Sequence, residues 1–334
     1  MHKYALTYIA LFICILAYTQ IPQTATAKSG DGIFKLLLRY NLNPGQYINE
    51  FKTLNKGRFT KKGGLISGKS YILPTASDNL KIDSKREEET ITYSLFGKKH
   101  SQFKVESDAL DGTVYYLVSG HGGPDPGATT TYNGTLAAED EYAYDVTLRL
   151  AKKLMTHGAK VYVIIKDEND GIRDTNVLKV DYDEVNYPNT KISRSQRTRL
   201  QQRTKVVNKL YRKNKGKYQR LIVTHVDSRN IGNNVDVFFY HHKNSKNGKR
   251  LAKSIYTAFK EKYAEHQPNR SYRGTVTERS KLYMVKNTLP AMTYIELGNI
   301  QNSKDQKRII NYQNREALAN WIYSGILKDF ESKN

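Results

Sequence analysis

Cysteine is almost absent from this sequence, since Cys14 is the single cysteine among 334 residues. It lies in an apolar segment near the amino terminus, after Ile13, a residue too bulky for the usual lipoprotein signal. The chain beyond this segment therefore has no disulfide, no thiol nucleophile and no thiolate metal ligand.

A long apolar run is also missing. The apolar segment from Tyr4 to Tyr18 is shorter than the ~20 residues that a membrane-spanning helix needs. Lys3 precedes this segment and Ala25-Thr26-Ala27 follows it, an order typical of a secretory signal peptide. We expect residues 1–27 to be removed during export, which leaves no stable membrane anchor. A retained transmembrane anchor is the alternative interpretation.

Acidic residues are few compared with basic ones. The 54 Lys and Arg against 32 Asp and Glu give a net charge of +22, which favours nucleic acid, acidic lipid or an acidic cell-wall polymer as partner. Export argues against nucleic acid. The glycine-rich stretch GHGGPDPG lacks the Lys-Ser/Thr pair of a phosphate-binding loop, so we expect no nucleotide either.

Residues 28–75 are predicted to form a small unit of their own. Helical apolar spacing covers Ile33 to Tyr40 and Tyr47 to Leu54, and a short strand is predicted near Tyr71. The pattern resembles that of a LysM module, through the following residues: Gly30-Asp31, Leu36-Leu37, Tyr40, Leu54-Asn55, Leu65, Gly68 and Ile72-Leu73-Pro74. The resemblance implies a βααβ fold that binds glycans containing N-acetylglucosamine. A spacer without glycan affinity is the alternative.

Residues 76–111 are highly charged and are interpreted as a linker or surface extension, with a short strand at Glu89 to Phe96. From residue 112 to the end, apolar strands alternate with amphipathic helices, which predicts an α/β fold with a mostly parallel, twisted sheet flanked by helices. Leu282 to Val285 is predicted as a strand. The polar stretch from Asp167 to Ser193 is interpreted as a long surface insertion.

Three residues suited to metal chemistry follow buried strands. His121 comes after the strand Val114 to Val118, His225 directly follows the strand Arg220 to Thr224, and Glu296 lies near the end of Thr293 to Leu297. Ligands gather beyond the carboxyl ends of strands in open α/β sheets. These side chains could therefore converge on a metal, although a histidine at a strand end is more often a hydrogen-bonded structural residue.

Four ordered motifs, namely VSGHGGPDPGA, the helix sequence that begins at Glu139, the segment from Leu200 to His225 and PAMTYIELGNIQN, together resemble those of the zinc-dependent N-acetylmuramoyl-L-alanine amidases of the amidase_3 type. VSGHGGPDPGA is similar to DPGHGGxDPGA, and EDEYAYDVTLRLAKKLMTHGAKV is similar to the helix EKxxNLxxALxLxxLLxxxGxxV. The segment from Leu200 to His225 matches through Leu200, Arg203, Asn208 and His225. PAMTYIELGNIQN matches PAvLVEtGFlSN.

The resemblance implies one zinc ion per catalytic domain, with His121, Glu139 and His225 as ligands and Glu296 as the catalytic carboxylate. Glu141 is the alternative to Glu139. Whichever of the two is not a ligand would be a carboxylate favoured by the helix dipole, worth about 0.3–1 kcal/mol. Two departures, Val118 for the motif's aspartate and HVDS for HANA, leave all four of these residues in place.

Other candidate residues have weaker support. His241, after an apolar strand, and Asn302, at the end of the last motif, are predicted to contact substrate. DENDG at Asp167 to Gly171 is similar to a calcium loop, but that register places Lys166 at the first ligand position, so a solvated turn is favoured. A basic helix is predicted to present a solvated face that attracts anionic wall polymer through four arginines, Arg194, Arg197, Arg199 and Arg203.

These observations predict an exported hydrolase, periplasmic or associated with the cell envelope of a bacterium. Its expected partner is peptidoglycan, both glycan strands and stem peptides, and an activator protein is left open. Two alternatives remain: a non-catalytic wall-binding or regulatory protein on the same scaffold, and a zinc peptidase that cuts within the stem peptide.

Overall fold

The computed structural model describes residues 23–28, 31–40, 42, 44–60, 63–74, 90–227 and 236–333. The chain divides into two compact units, residues 1–82 and 83–334. The predicted signal peptide lies outside the described residues up to residue 22. Among the residues described, no helix combines the length and the apolar character needed to cross a membrane.

The smaller unit has the predicted βααβ order. Its elements in the described residues are β1 (Thr24–Thr26), α1 (Ile33–Arg39), α2 (Pro44–Leu54) and β2 (Ser70–Ile72). The two strands pair antiparallel. Asn55, fully buried, joins the end of α2 to β2, because its amide donates to the Phe51 carbonyl at 2.8 Å and accepts from the Ile72 N–H at 2.8 Å.

This unit begins earlier than the sequence predicted. Strand β1 lies before residue 28, and Ala25 and Ala27 are only 1% and 2% exposed. The Ala27 N–H also donates to the Lys69 carbonyl at 3.0 Å. Cleavage after Ala27 would remove β1 from this sheet, and the removal of residues 1–27 stays a prediction.

The larger unit contains the remaining elements. Its strands are β3 (Thr90–Thr92), β4 (Gln102–Lys104), β5 (Thr113–Ser119), β6 (Thr129–Tyr132), β7 (Thr135–Ala138), β8 (Lys160–Val163), β9 (Ile165–Lys166), β10 (Val185–Asn186), β11 (Thr190–Lys191), β12 (Tyr218–Asp227), β13 (Phe238–His241), β14 (Thr275–Glu278) and β15 (Ala291–Asn299). Its α-helices are α3 (Gly97–His100), α4 (Glu139–Met155), α5 (Gln196–Lys213), α6 (Lys246–His266), α7 (Tyr283–Asn287), α8 (Ser303–Ile310) and α9 (Tyr312–Glu331).

Six of these strands form the central sheet in the order β14-β13-β15-β12-β5-β8. Strands β8, β5, β12 and β15 run parallel, whereas β13 pairs antiparallel with β15 and parallel with β14. The predicted α/β class with a mostly parallel sheet is confirmed.

Helices cover both faces of this sheet, which explains why β5 is apolar throughout rather than alternating. Val114, Tyr116 and Val118 of β5 pack with Val207 and Leu210 of α5 on one face. Helix α9 contacts both α4 and α6, α4 contacts strand β12, and α6 contacts strand β15. The buried strands thus hold the sheet edge at which the candidate site lies.

Three sequence predictions for this unit need correction. The predicted strand at Leu282 to Val285 belongs to helix α7, whose Met284 and Val285 pack into the core beside α5. A short apolar run does not distinguish a buried strand from a buried helix turn. The charged linker ends before residue 90, since β3 and β4 form an antiparallel pair around the fully buried Phe96.

The insertion between Asp167 and Ser193 is also more ordered than predicted. Strand β10 pairs with β9 and β11 in a three-stranded sheet. Asp167 is 2% exposed and Glu184 5% exposed. The segment is therefore built into the larger unit. Within DENDG, Asp167 is buried, whereas Glu168 and Asn169 lie in an exposed bend, as the predicted solvated turn requires.

Candidate metal centre and cleft

Three neighbouring parallel strands bring the predicted residues to one edge of the sheet. Thr224 in β12 lies beside Ser119 at the end of β5, and His225 lies beside Glu296 in β15. His121 follows β5 by two residues. The register of the sheet thus places these side chains together from segments far apart in sequence.

The loop around His121 depends on glycine at close approaches. A Cβ on Gly120 would overlap the His225 ring, and one on Gly127 (φ +70°) would lie 2.7 Å from both Glu139 Oε2 and the His121 ring. His121 itself has a positive φ of 57°, which is uncommon outside glycine and costs conformational energy. The chain turns tightly here and points the imidazole at α4.

Glu139 completes a three-residue group at the start of α4. Ligand atoms of His121, Glu139 and His225 all lie within 4.8 Å of one another. Glu139 Oε1 is 2.9 Å from His225 Nδ1, and Oε2 is 3.3 Å from His121 Nε2. The alternative, Glu141, turns away and pairs with Arg173 Nη1 at 2.8 Å. The structure therefore brings Glu139, and not Glu141, to the two histidines.

The electrostatics of the group suit metal binding. Burial lowers the pKa of His225 and outweighs the hydrogen bond to Glu139, which favours a neutral imidazole. Burial alone would raise the pKa of Glu139, but its bond with His225 holds that pKa below the usual value. Two imidazoles and one carboxylate are a donor set found in catalytic zinc sites, which keep a fourth position open. The residues present fit zinc.

Asp125 orients His121 and was not assigned a role from the sequence. Its Oδ2 lies 3.0 Å from His121 Nδ1 and also accepts from Arg199 Nη2. Burial would lower the pKa of His121, but the bond to Asp125 and the charge of Glu139 raise it overall. A carboxylate on the far nitrogen of a metal-binding histidine fixes its tautomer and orientation. Its position four residues after His121, inside the glycine-rich motif, is the signal that could have identified it.

Two arginines of α5 belong to this site rather than to a solvated face. Arg199 is 8% exposed and pairs with Asp125, and Arg203 is 4% exposed and donates to the His121 carbonyl. The predicted solvated arginine face is therefore wrong for these two, whereas Arg194 and Arg197 are exposed.

Glu296 and Tyr294 of β15 lie on the other side of His225. Glu296 is 3% exposed and lines the cleft. The Tyr294 ring stacks on the His225 ring with a centroid distance of 4.6 Å and an interplanar angle of 14°. This stacking restricts the His225 side chain on the side away from α4.

The group lies in a cleft of about 510 Å³. Its lining combines the candidate ligands with residues of α5, α7 and β15: Val118, His121, Asp125, Gly127, Ala128, Glu139, Gln196, Arg199, Leu200, Arg203, Val223, His225, Val226, Leu282, Tyr283, Met284, Tyr294 and Glu296. Val118, which stands where the related motif has aspartate, is 1% exposed and joins the apolar core at the base of the cleft. An apolar residue is thus accommodated by packing.

Two predicted substrate contacts lie elsewhere. Because β13 runs antiparallel to β15, Phe238 rather than His241 lies opposite Glu296, and His241 is at the far end of its strand. Asn302 caps α8, where its Oδ1 accepts from the N–H groups of Lys304 and Asp305. Neither residue lines the cleft, and their contact with substrate stays a prediction.

Comparison with solved structures finds similar folds at low sequence identity. The CwlD amidase from Clostridioides difficile in complex with the GerS lipoprotein is 23% identical, with a TM-score of 0.49 over 66% of this chain and 98% of that chain. An N-acetylmuramoyl-L-alanine amidase from Clostridium difficile 630 is 20% identical, with a TM-score of 0.49 over 68% and 100%. AmiC2 of Nostoc punctiforme is 17% identical, with a TM-score of 0.46 over 66% and 99%.

Comparison with protein families gives a match across nearly all of the larger unit. No curated protein matches the sequence. The family model described as Amidase_3, N-acetylmuramoyl-L-alanine amidase, matches residues 116–328. That range includes the two histidines, both glutamates and the cleft between them, and the chain belongs to the amidase_3 family of N-acetylmuramoyl-L-alanine amidases.

Proposed function

We propose that this protein is a zinc-dependent hydrolase that cleaves the amide bond between N-acetylmuramic acid and the L-alanine of peptidoglycan stem peptides. The observation that carries the proposal is the grouping of His121, Glu139 and His225 within 4.8 Å of one another in an open cleft, with Glu296 on the strand beside His225. The family match supports the amidase reaction.

His121, Glu139 and His225 would hold the zinc ion. When bound, zinc supplies Lewis-acid polarisation of the scissile carbonyl and lowers the pKa of water. Asp125 keeps His121 turned so that Nε2 faces Glu139, with the proton on Nδ1. Glu139 is fixed by the backbone N–H groups of Ala128 and Val226, each at 3.0 Å.

Glu296 would act as the general base and then as the general acid. It accepts a proton from the attacking water and delivers one to the departing amine of L-alanine. Such proton transfer by a positioned carboxylate contributes typically ~10²–10⁴-fold in rate. Tyr283 and Leu282, which line the cleft beside it, offer aromatic and apolar surface to the glycopeptide.

The other parts of the chain fit an exported wall hydrolase. In this proposal, the amino-terminal segment directs export to the periplasm or cell envelope, and the LysM-like unit binds glycan strands. Binding through a second unit raises the local concentration of enzyme at its substrate. The net charge of +22 favours acidic wall polymers over neutral surfaces.

Digestion of purified peptidoglycan, followed by mass spectrometry, tests the proposed reaction. The parent protein should release intact stem peptides with free L-alanine amino termini, a chelator should stop the release, and added zinc should restore it. Glu296→Gln should bind zinc like the parent but lose at least ~100-fold in rate.

The other outcomes are equally specific. Fragments cut within the stem peptide would identify a peptidase, and a zinc-loaded parent without products would identify a non-catalytic wall-binding protein. Release that is unchanged in Glu296→Gln would refute the role given to that carboxylate.

A further inference from the structure

A second group of carboxylates lies beside the candidate zinc ligands. Ligand oxygens of Glu141, Asp181 and Glu184 all lie within 4.8 Å of one another, and so do those of Asp167, Asp170 and Asp181. Asp181 belongs to both triads. Five carboxylates from three separate segments, the start of α4 and two parts of the insertion, therefore meet around one residue.

Most of this negative charge is buried and only partly balanced. Glu141, Asp167 and Glu184 are 1%, 2% and 5% exposed. Arg173 contacts Glu141 and Asp170 through one guanidinium nitrogen. One guanidinium does not neutralise five carboxylates, and buried carboxylates without compensation are costly. In a chain with an excess of 22 positive charges, an acidic group of this density stands out.

Two buried carboxylate oxygens at this place have no hydrogen-bond partner among the described residues. One is Asp181 Oδ1, at the centre of the two triads. The other is Oδ2 of Asp140, a residue 1% exposed that directly precedes Glu141 on α4. An unsatisfied buried oxygen in native protein requires an explanation, such as a bound ion. Because Asp181 belongs to both triads, its unsatisfied oxygen points to a positive ligand held by the cluster.

We propose that this cluster binds one divalent cation of the calcium class, centred on Asp181, with Glu184 and Asp167 as further carboxylate ligands. All side-chain donors here are oxygens, which hard cations prefer, whereas zinc favours imidazole or thiolate. Calcium also accepts six to eight oxygens in flexible geometry, which suits ligands from separate segments. This composite origin explains why a contiguous calcium loop could not be read from DENDG.

The bound cation joins the insertion to the zinc-binding elements. Glu184 Oε2 accepts from the Gly123 N–H at 2.5 Å, two residues after His121. Glu141 Oε1 accepts from the Asp181 N–H at 3.0 Å, and Glu141 lies two residues after Glu139 on α4. A cation at Asp181 therefore holds together the insertion, the His121 loop and the start of α4. The insertion therefore stabilises the positions of the His121 loop and of α4, unlike a surface loop without such contacts.

The protonation of the cluster supports the same conclusion. Burial raises the pKa of both Asp167 and Glu184 to about 7. Without a cation these carboxyls hold protons near neutral pH, and a divalent ion replaces those protons.

Equilibrium dialysis of the zinc-saturated, full-length protein against ~1 mM calcium, followed by elemental analysis, tests the site. The parent should bind one calcium per chain, and its Tm should rise by roughly 5 °C. Asp181→Asn and Glu184→Gln should each lose the calcium while they keep the zinc. Glu168→Gln, a matched change at an exposed carboxylate in the same segment, should retain both metals.

The unfolding temperature in calcium-free buffer shows whether Asp181 serves as a cation ligand or only as a structural hydrogen-bonding residue. Because Asp181→Asn removes one of several neighbouring negative charges, the variant should unfold at an equal or higher temperature than the parent in calcium-free buffer, and at a lower one with calcium. Less than ~0.1 calcium per parent chain, or calcium retained by Asp181→Asn, would overturn the proposal. Equal destabilisation of Asp181→Asn with and without calcium would overturn it as well.

Discussion

Replacing Asp125 with asparagine changes the charge behind His121 while it conserves the side-chain shape. In the parent, Asp125 Oδ2 faces His121 Nδ1 at 3.0 Å and also accepts from Arg199, and Oδ1 accepts from the Gly127 N–H at 3.3 Å. Asparagine offers one acceptor oxygen for these three donors. Its amide group must then face an N–H of either His121, Arg199 or Gly127.

The size of the effect follows from these contacts. Loss of a carboxylate behind a metal-binding histidine typically costs 10–100-fold in metal affinity or activity, which is about 1.4–2.7 kcal/mol. Asp125→Asn also leaves the mostly buried Arg199 without its counter-ion. In addition, the new amide N–H group faces another N–H donor, so one hydrogen bond is replaced by a repulsive contact. We therefore expect zinc to bind roughly 30–100-fold more weakly.

Competition with a chromophoric chelator measures this affinity. Asp111→Asn, at an exposed position, is the matched control and should bind zinc as the parent does. Circular dichroism should show the same secondary structure in all three metal-free proteins. An unchanged zinc affinity in Asp125→Asn would refute the role that we assign to Asp125.

Three further predictions concern the loop, the core and the carboxylate cluster. Gly127→Ala should lose zinc binding because its Cβ would lie 2.7 Å from Glu139 Oε2 and the His121 ring. Gly134→Ala, also at positive φ but in open space, should cost only ~1–2 kcal/mol of stability and keep the zinc. Chelator competition and chemical denaturation distinguish the two variants, and tight zinc binding by Gly127→Ala would contradict the close packing. Arg315 is fully buried and pairs with Asp145 at 2.6 Å, so Arg315→Ala should lower the free energy of unfolding by about 3–5 kcal/mol. The control Arg197→Ala, at an exposed position, should lower it by less than ~0.5 kcal/mol. Urea denaturation measures both variants. Burial, and then the charges of Glu141 and Asp167, raise the pKa of Glu184 to about 7 from 4.5. The folded state therefore binds the proton more tightly than the unfolded state, so calcium-free protein should lose up to about 3 kcal/mol of stability as pH rises from 4.5 to 7. A pH series of unfolding curves in which Glu184→Gln shows the same slope as the parent would contradict this.

The sheet and the centre of the site could be predicted from the sequence because their signals are local. A buried strand such as Thr113 to Ser119 is a continuous apolar run, and its end at His121 is set by glycines. The motifs identified His121, Glu139, His225 and Glu296 in order along the chain. The parallel register of β5, β12 and β15 then places His225 beside Glu296.

What the sequence could not predict depends on pairing between distant segments. The direction of β13 decides that His241 lies away from the cleft, and strand direction is not encoded in the apolar pattern of that strand. The contact between Asp125 and Arg199 joins residues 74 positions apart, and no local pattern of the sequence shows it. The carboxylate cluster around Asp181 likewise forms only when the insertion folds back onto α4.

In the proposed reaction, one zinc ion held by His121, Glu139 and His225 drives hydrolysis of peptidoglycan at the L-alanine amide. The most direct test is a zinc titration of metal-free protein in millimolar calcium, with new L-alanine amino termini counted at each step. For the parent, we expect the rate to rise in proportion to zinc and to reach its limit at one equivalent. The rate should stay near background in Glu139→Gln but not in Glu141→Gln. Full activity in the metal-free protein, or a normal titration in Glu139→Gln, would contradict it.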